Sequence, residues 1–208
     1  MSGWIDLDGW KHREHYEHFR AFANPFFSVC VDVDVTELWG RSREPGGPSF
    51  VLGTLHAAVL AADPVEAMRR RMRGDRVWLH DHVGVSTTVL RDDETFGYAR
   101  ISHAGEFHDF APAARNRLDD ARRVRGLPLP AGDDVLYHST LRWLRFTSFS
   151  NALPTGDSIP RLVFGRCVAD GDRTIMPVAL EVHHAVVHGL DVARFYEQFQ
   201  SRLNAAAL

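Results

Sequence analysis

The stretch Met176-Pro-Val-Ala-Leu-Glu-Val-His183-His184-Ala-Val-Val-His188-Gly189-Leu190-Asp191 sets a Val-, Ala- and Leu-rich run directly before two adjacent histidines and a glycine. β-branched residues in a short apolar run predict a buried strand, and Gly189 predicts the turn that leaves it. Beyond the glycine, Val192, Phe195, Tyr196 and Phe199 recur at helical spacing, so a helix with one apolar face follows the strand. Two imidazoles at the lip of a buried strand leave two readings open. They are polar groups satisfied at a strand end, or groups that trade protons near neutral pH.

Upstream, the periodicity predicts helix over 11–22, with Trp10, Tyr16, Phe19 and Phe22 near one face, ended by Asn24-Pro25. Alternation of Val29, Val31 and Val33 with Cys30, Asp32 and Asp34 predicts a strand over 26–35 with one wet face. Thr36 can cap a short helix to about 43, and Ser49 a mostly apolar, buried one to Ala62, stopped at Asp63-Pro64. Strands are predicted over 76–79, 83–90 and 95–101, the last two joined by the turn Arg91-Asp-Asp-Glu. A helix over 106–124 carries Pro112 in its first turns. Gly126-Leu-Pro-Leu-Pro130 is a loop, as is 151–160, and strands follow over 136–147, 162–168 and 174–184 before a closing helix over 190–203. Helices mixed with mainly antiparallel strands fit an α/β sandwich on one large sheet.

Composition excludes several function classes. A formal net charge of −3 argues against a nucleic-acid partner bound through phosphate neutralisation. The arginine clusters at 69–71 and 122–123 read as solvated helix faces. No apolar run reaches the length needed to span a bilayer, and the N-terminus lacks a basic start and an apolar core, so a cytoplasmic protein is expected. Cys30 and Cys167 lie far apart in strand-like runs and read as free buried thiols.

His183-His184-Ala-Val-Val-His188-Gly189 resembles the His-His-x-x-x-Asp-Gly signature of the chloramphenicol acetyltransferase family, shared more distantly with dihydrolipoyl acyltransferase cores and peptide-synthetase condensation domains. His188 stands where the signature has Asp. The likeness extends to Gly171-Asp-Arg-Thr-Ile-Met-Pro and to Ser139-Thr-Leu-Arg-Trp143-Leu-Arg-Phe-Thr-Ser-Phe149. At the other end it takes in Trp10-Lys-His12-Arg13-Glu14-His15-Tyr16, Asn24-Pro-Phe-Phe27-Ser and Asp32-Val-Asp34-Val-Thr36. The resemblance implies one domain over residues 1–208. Its implied fold is an α/β two-layer sandwich with one large, mostly antiparallel mixed β-sheet and flanking helices. It also implies acyl transfer from acetyl-CoA, a co-substrate rather than a permanent cofactor, to a small-molecule alcohol. Sites at the interfaces of a homotrimer, and a part in antibiotic resistance, are implied as well.

Residue roles follow from the same resemblance. His184 is the general base, and the Ser139 hydroxyl helps hold the oxyanion. His183 orders the backbone, and Trp143 lies on the cofactor side, although a buried aromatic anchor explains it equally well. The family aspartate at position 188 pairs with an arginine that falls on His12. Both members are therefore histidine here, and two neutral imidazoles can donate and accept to each other. The acceptor pocket is implied at Phe19, Phe27, Thr87, Phe96, Tyr98, Tyr137, Asp157 and Val163, with His18 beside them. Tyr98, Tyr137, Asp157 and Val163 depart from the family type, so chloramphenicol is not expected as the acceptor, or not as the sole one. A buried Asp157 requires a partner. His184 and His188 share the i, i+4 spacing of zinc ligands, but Ala-Val-Val at a strand end is not a helix, and no metal is expected. A second reading keeps the fold and drops the reaction: a protein that binds a small molecule, or one that uses His184 in chemistry other than acyl transfer.

Overall fold

The computed structural model describes residues 2–127, 131–154 and 156–205. The loop residues at 128–130 lie outside them. In chain order the elements are β1 (Gly3–Trp4), α1 (Arg13–Arg20), β2 (Phe26–Asp34), α2 (Thr36–Arg41), α3 (Phe50–Ala62), a 3-10 turn (Glu66–Arg69), β3 (Arg70–Arg73), β4 (Arg76–Leu79) and β5 (Gly84–Leu90). They continue with β6 (Phe96–Ile101), α4 (Phe107–Arg123), β7 (Val135–Thr140), β8 (Arg161–Phe164), β9 (Val168–Asp170), β10 (Arg173–His183) and α5 (Gly189–Asn204).

The large sheet runs β2-β10-β8-β7-β5-β6, with β9 also on β10. β7 pairs in parallel with both β5 and β8, and the other pairings are antiparallel. A small sheet, β1-β4-β3, stands apart. β10 is buried from Ile175 to His183 because strands flank it and helices cover it, as its apolar run requires.

Helix α3 explains how the helical layer is built. Nearly every side chain from Leu52 to Ala62 is buried, which a helix achieves only with apolar partners on all sides. Ala57, Ala58, Ala61 and Ala62 join the core formed with β10 and α5, while Leu52, Leu55 and Val59 join α4 and Val85. Ser49 accepts from Leu52 N–H and caps it. On α5, the Tyr196 hydroxyl reaches Val29 O (3.0 Å) and Val178 O (2.8 Å), fixing the helix across β2 and β10.

Several sequence expectations need correction. Helix α1 is shorter than 11–22, and the strand expected over 136–147 stops at Thr140. The strand expected over 162–168 divides into β8 and β9. Helix α4 (Phe107–Arg123), by contrast, matches the helix expected over 106–124 and runs through Pro112 without a break. The arginines at 69–71 are not a solvated helix face. Arg71 is 1% exposed, its guanidinium donating to the carbonyls of Met68, Arg70, Asp133 and Val135, and burial lowers its pKa to about 10. The polar look of Arg-Arg-Met-Arg hid a strand whose cation is satisfied by backbone oxygens. Among the described residues no helix is long and apolar enough to cross a membrane.

Candidate active site

Where β10 ends, the His184 N–H donates to Pro25 O (2.8 Å), carrying the pairing with the β2 side one residue further. The chain then turns: Ala185 N–H donates to His183 Nδ1 (3.2 Å), and Val186 and Val187 N–H donate to His183 O. His183 is buried edge-on against Phe26, and burial pulls its pKa down to about 4, so it stays the neutral acceptor this turn needs. Arg70 donates to Val186 O (3.2 Å) while paired with Glu66, and so holds the turn from below. Its sequence context hid that role.

The His184 ring stacks on Phe19 (centroids 3.9 Å apart, planes 12° apart) and leans on Phe27 at 4.7 Å. His18 touches Phe19 and Phe22 rather than His184. His184 Nδ1 lies 3.4 Å from His188 Nδ1, which turns Nε2 away from that contact. His188 is half-buried, its pKa lowered to about 4 by desolvation and by the neighbouring His12. Its Nε2 has no hydrogen-bond partner among the described residues, and its backbone N–H donates to Asp191 at the start of α5. The expected exchange between His12 and His188 therefore takes another form. Their rings touch at 5.0 Å, while the hydrogen-bond contact of His188 is to His184.

Ser139 sits in the middle of the sheet, between β5 and β8. Its Oγ accepts from Thr88 Oγ1 (3.1 Å), which leaves its own proton to donate elsewhere. It lines a cavity of about 260 Å³ with Ser86, Thr88, Tyr98, Tyr137, Asn151 and Arg161 among the walls. The Ser86 hydroxyl is buried there without a partner among the described residues. Asn151 donates through its backbone N–H and its side chain to Glu181 Oε2, tying the 151–160 loop to β10. Arg161 lies over the Tyr137 ring at 5.3 Å and pairs with Asp157, so the buried carboxylate has its partner.

The residues expected around an acceptor do not form one pocket in this chain. Tyr98 and Tyr137 line the Ser139 cavity, and Phe19 and Phe27 pack on His184. Thr87 points to the opposite face of β5, with Oγ1 2.8 Å from His138 Nδ1, because side chains alternate along a strand; Ser86 and Thr88 take its place. Val163 is buried within β8, Asp157 lines a neighbouring cleft with His183, and Phe96 is 43% exposed at the start of β6. Trp143 is 53% exposed beneath the Arg142 guanidinium, so it is no buried anchor. Ser86 and Thr88 flank Thr87 on one strand, so side-chain alternation could have found them once Thr87 faced away; Asn151 and Arg161 carried no local signal.

Register fixes the relation between the two halves. Ser139 pairs with Val163, which pairs with Ala179, five residues before His184. At roughly 3.3 Å per residue and 4.8 Å per strand, the two positions are on the order of 20 Å apart in one chain.

A family model described as chloramphenicol acetyltransferase matches residues 2–200. The chloramphenicol acetyltransferase of Clostridium perfringens is 25% identical over 207 residues, covering 97% of this chain and 98% of the relative. That of Streptomyces acrimycini is 29% identical, covering 96% and 93%. A solved chloramphenicol acetyltransferase structure superposes with a TM-score of 0.89 at 27% identity, covering 98% of this chain and 100% of the other. A probable dihydrolipoamide acetyltransferase from Listeria monocytogenes shares the fold at a TM-score of 0.70 and 14% identity, covering 93% and 90%.

Proposed function

Because this chain belongs to the chloramphenicol acetyltransferase family and is an acyltransferase, we propose that it moves an acetyl group from acetyl-CoA to the hydroxyl of a small molecule. His184 serves as base and Ser139 as oxyanion donor. The observation that carries this reading is the setting of His184: ring stacked on Phe19, Nδ1 against His188, Nε2 left for substrate.

A base needs an unprotonated Nε2, hence a proton on Nδ1. His188 Nδ1 accepts from that N–H, and the His188 proton then resides on its own buried Nε2. The opposite tautomer would leave His184 without a lone pair for the acceptor. With the first arrangement, Nε2 removes the hydroxyl proton as the acceptor oxygen attacks the thioester carbon. The Ser139 hydroxyl donates to the oxyanion of the tetrahedral intermediate. Collapse reforms the carbonyl and breaks the C–S bond, and the departing thiolate recovers the proton from His184.

Since Ser139 and His184 lie on the order of 20 Å apart along one sheet, the working site joins His184 of one chain to the Ser139 cavity of another, as in a homotrimer. The cavity wall of Ser86, Thr88, Tyr98 and Tyr137, with the Arg161–Asp157 pair behind it, favours an acceptor rich in hydrogen-bonding groups over chloramphenicol. The test is incubation with acetyl-CoA and a panel of small alcohols, following thiol release. His184→Ala should lower the rate by about 10²- to 10⁴-fold. Equal rates for wild type and variant with every acceptor would sink the assignment.

A further inference from the structure

We propose that Asp63, His82 and His103 form a binding site for one divalent transition-metal ion, separate from the site of acyl transfer. One ligand atom from each of the three lies within 4.8 Å of the others. Asp63 Oδ1 stands 3.0 Å from His82 Nδ1, and Oδ2 stands 2.8 Å from His103 Nε2. In a tetrahedral site with bonds of about 2.0–2.1 Å, ligand atoms stand roughly 3.3 Å apart. The carboxylate–imidazole distances need widen by only a few tenths of an ångström to admit an ion.

Three separate segments deliver these groups. Asp63 is the C-cap of α3 and is followed by Pro64, His82 lies in the β4–β5 connection, and His103 follows β6. The close approach of the last two rests on Gly84. A Cβ there would stand 2.2 Å from Ile101 O and 3.2 Å from His103 N, so no larger residue lets the connections come together. His56, two turns before Asp63 on α3, donates to Ala104 O (3.0 Å) and pins the segment carrying His103. The cluster is thus held by its surroundings, as a ligand set requires.

Two imidazoles and one carboxylate suit zinc, cobalt, nickel or copper, not magnesium or calcium. The His103 and Asp63 side chains are 20% and 26% exposed and His82 is 57% exposed, which leaves an entry path and a fourth position for water. Binding through His82 Nδ1 and His103 Nε2 needs each neutral ring to carry its proton on the other nitrogen, and with the one carboxylate the bound ion keeps a single net positive charge. None of the three lines the Ser139 cavity or touches the His184 cluster. The ion's effect is to fasten the end of α3 to the start of β5 and the end of β6.

The alternative is a carboxylate that simply accepts an N–H from each ring, which are stacked at 4.2 Å. The experiment titrates untagged, chelator-dialysed full-length protein with cobalt(II) alone. The proposal expects one equivalent bound with the strong visible absorption of a four-coordinate ion. Zinc should displace it and raise the unfolding temperature, and magnesium should do neither. His82→Gln removes an exposed ring and should fold normally while weakening cobalt binding roughly tenfold or more; His103→Gln should do the same. Absence of stoichiometric binding overturns the proposal. So does binding that survives His82→Gln, or that disappears instead in His12→Gln or His188→Gln, which would assign the ion to the imidazoles beside His184.

Discussion

The surroundings of Ser139 and of His184 are built on different principles. Ser139 is placed by backbone: β7 is paired on both sides, and its hydroxyl meets a hydroxyl from the next strand. His184 stands where the sheet runs out, and rings place it: Phe19 on one face, Phe27 leaning in, His188 at Nδ1. Strand pairing fixes a donor to within a fraction of an ångström and leaves little to adjust. A stack of rings with one 3.4 Å contact is softer, and it brings in titratable neighbours. The oxyanion side is the rigid half of the proposed chemistry, and the base side is the half that pH and substitution can tune.

The largest effect is expected from separating the halves on purpose. Chains carrying His184→Ala and chains carrying Ser139→Ala should each be nearly inactive, and hybrids assembled from both should exceed either parent by on the order of 10²-fold. Hybrids that stay at parental background would break the comparison, because the two halves would not share a site. Next, Ser139→Ala alone should lower kcat by about 10²-fold with KM little changed. A KM effect of similar size would make the serine a binding group.

A smaller change is expected at His188. His188→Leu removes the acceptor for His184 Nδ1 and should lower kcat roughly tenfold while altering the pH profile. His188→Asn, which keeps an acceptor, should recover part of the loss. If both variants fell equally with an unchanged profile, His188 would be packing alone. The smallest effect concerns stability. Burial holds His183 and His188 near about 4 and His138 near about 3, whereas an unfolded imidazole titrates near 6.5. Between those values the unfolded chain binds more protons than the native one, so stability is full above about pH 6.5 and declines toward pH 4. Thermal melts across that range should show the decline, and His188→Leu should shrink it. A flat profile would mean that these rings are not desolvated.

Much of the framework is legible in the sequence. Period-two alternation marked β2, the turn Arg91-Asp-Asp-Glu between two strand-like runs marked β5 and β6, Ser49 marked the start of α3, and the stripe Val192-Phe195-Tyr196-Phe199 marked α5. What failed had physical causes. β3 was missed because arginine reads as solvent-facing until backbone carbonyls are found around it. The strand expected through Thr147 ends at Thr140, and beyond it Trp143 and Leu144 are exposed, with no strand among the described residues to pair the segment. The family motif singled out His184 and Ser139 as expected site residues but was silent on how His184 is oriented. The Asp63–His82–His103 cluster had no local signature at all, its members being 19 and 40 residues from Asp63.

The parallel contact between Phe19 and the His184 imidazole has one more consequence. With an aromatic neighbour already lying flat on it, that face of the imidazole offers no platform for a planar guest. Under the proposed chemistry, an alcohol would approach along the plane of the ring, toward the lone pair on the outer nitrogen. That is also the line a proton would follow, so in the proposed reaction the phenyl group would disfavour poses in which molecules bind without reacting.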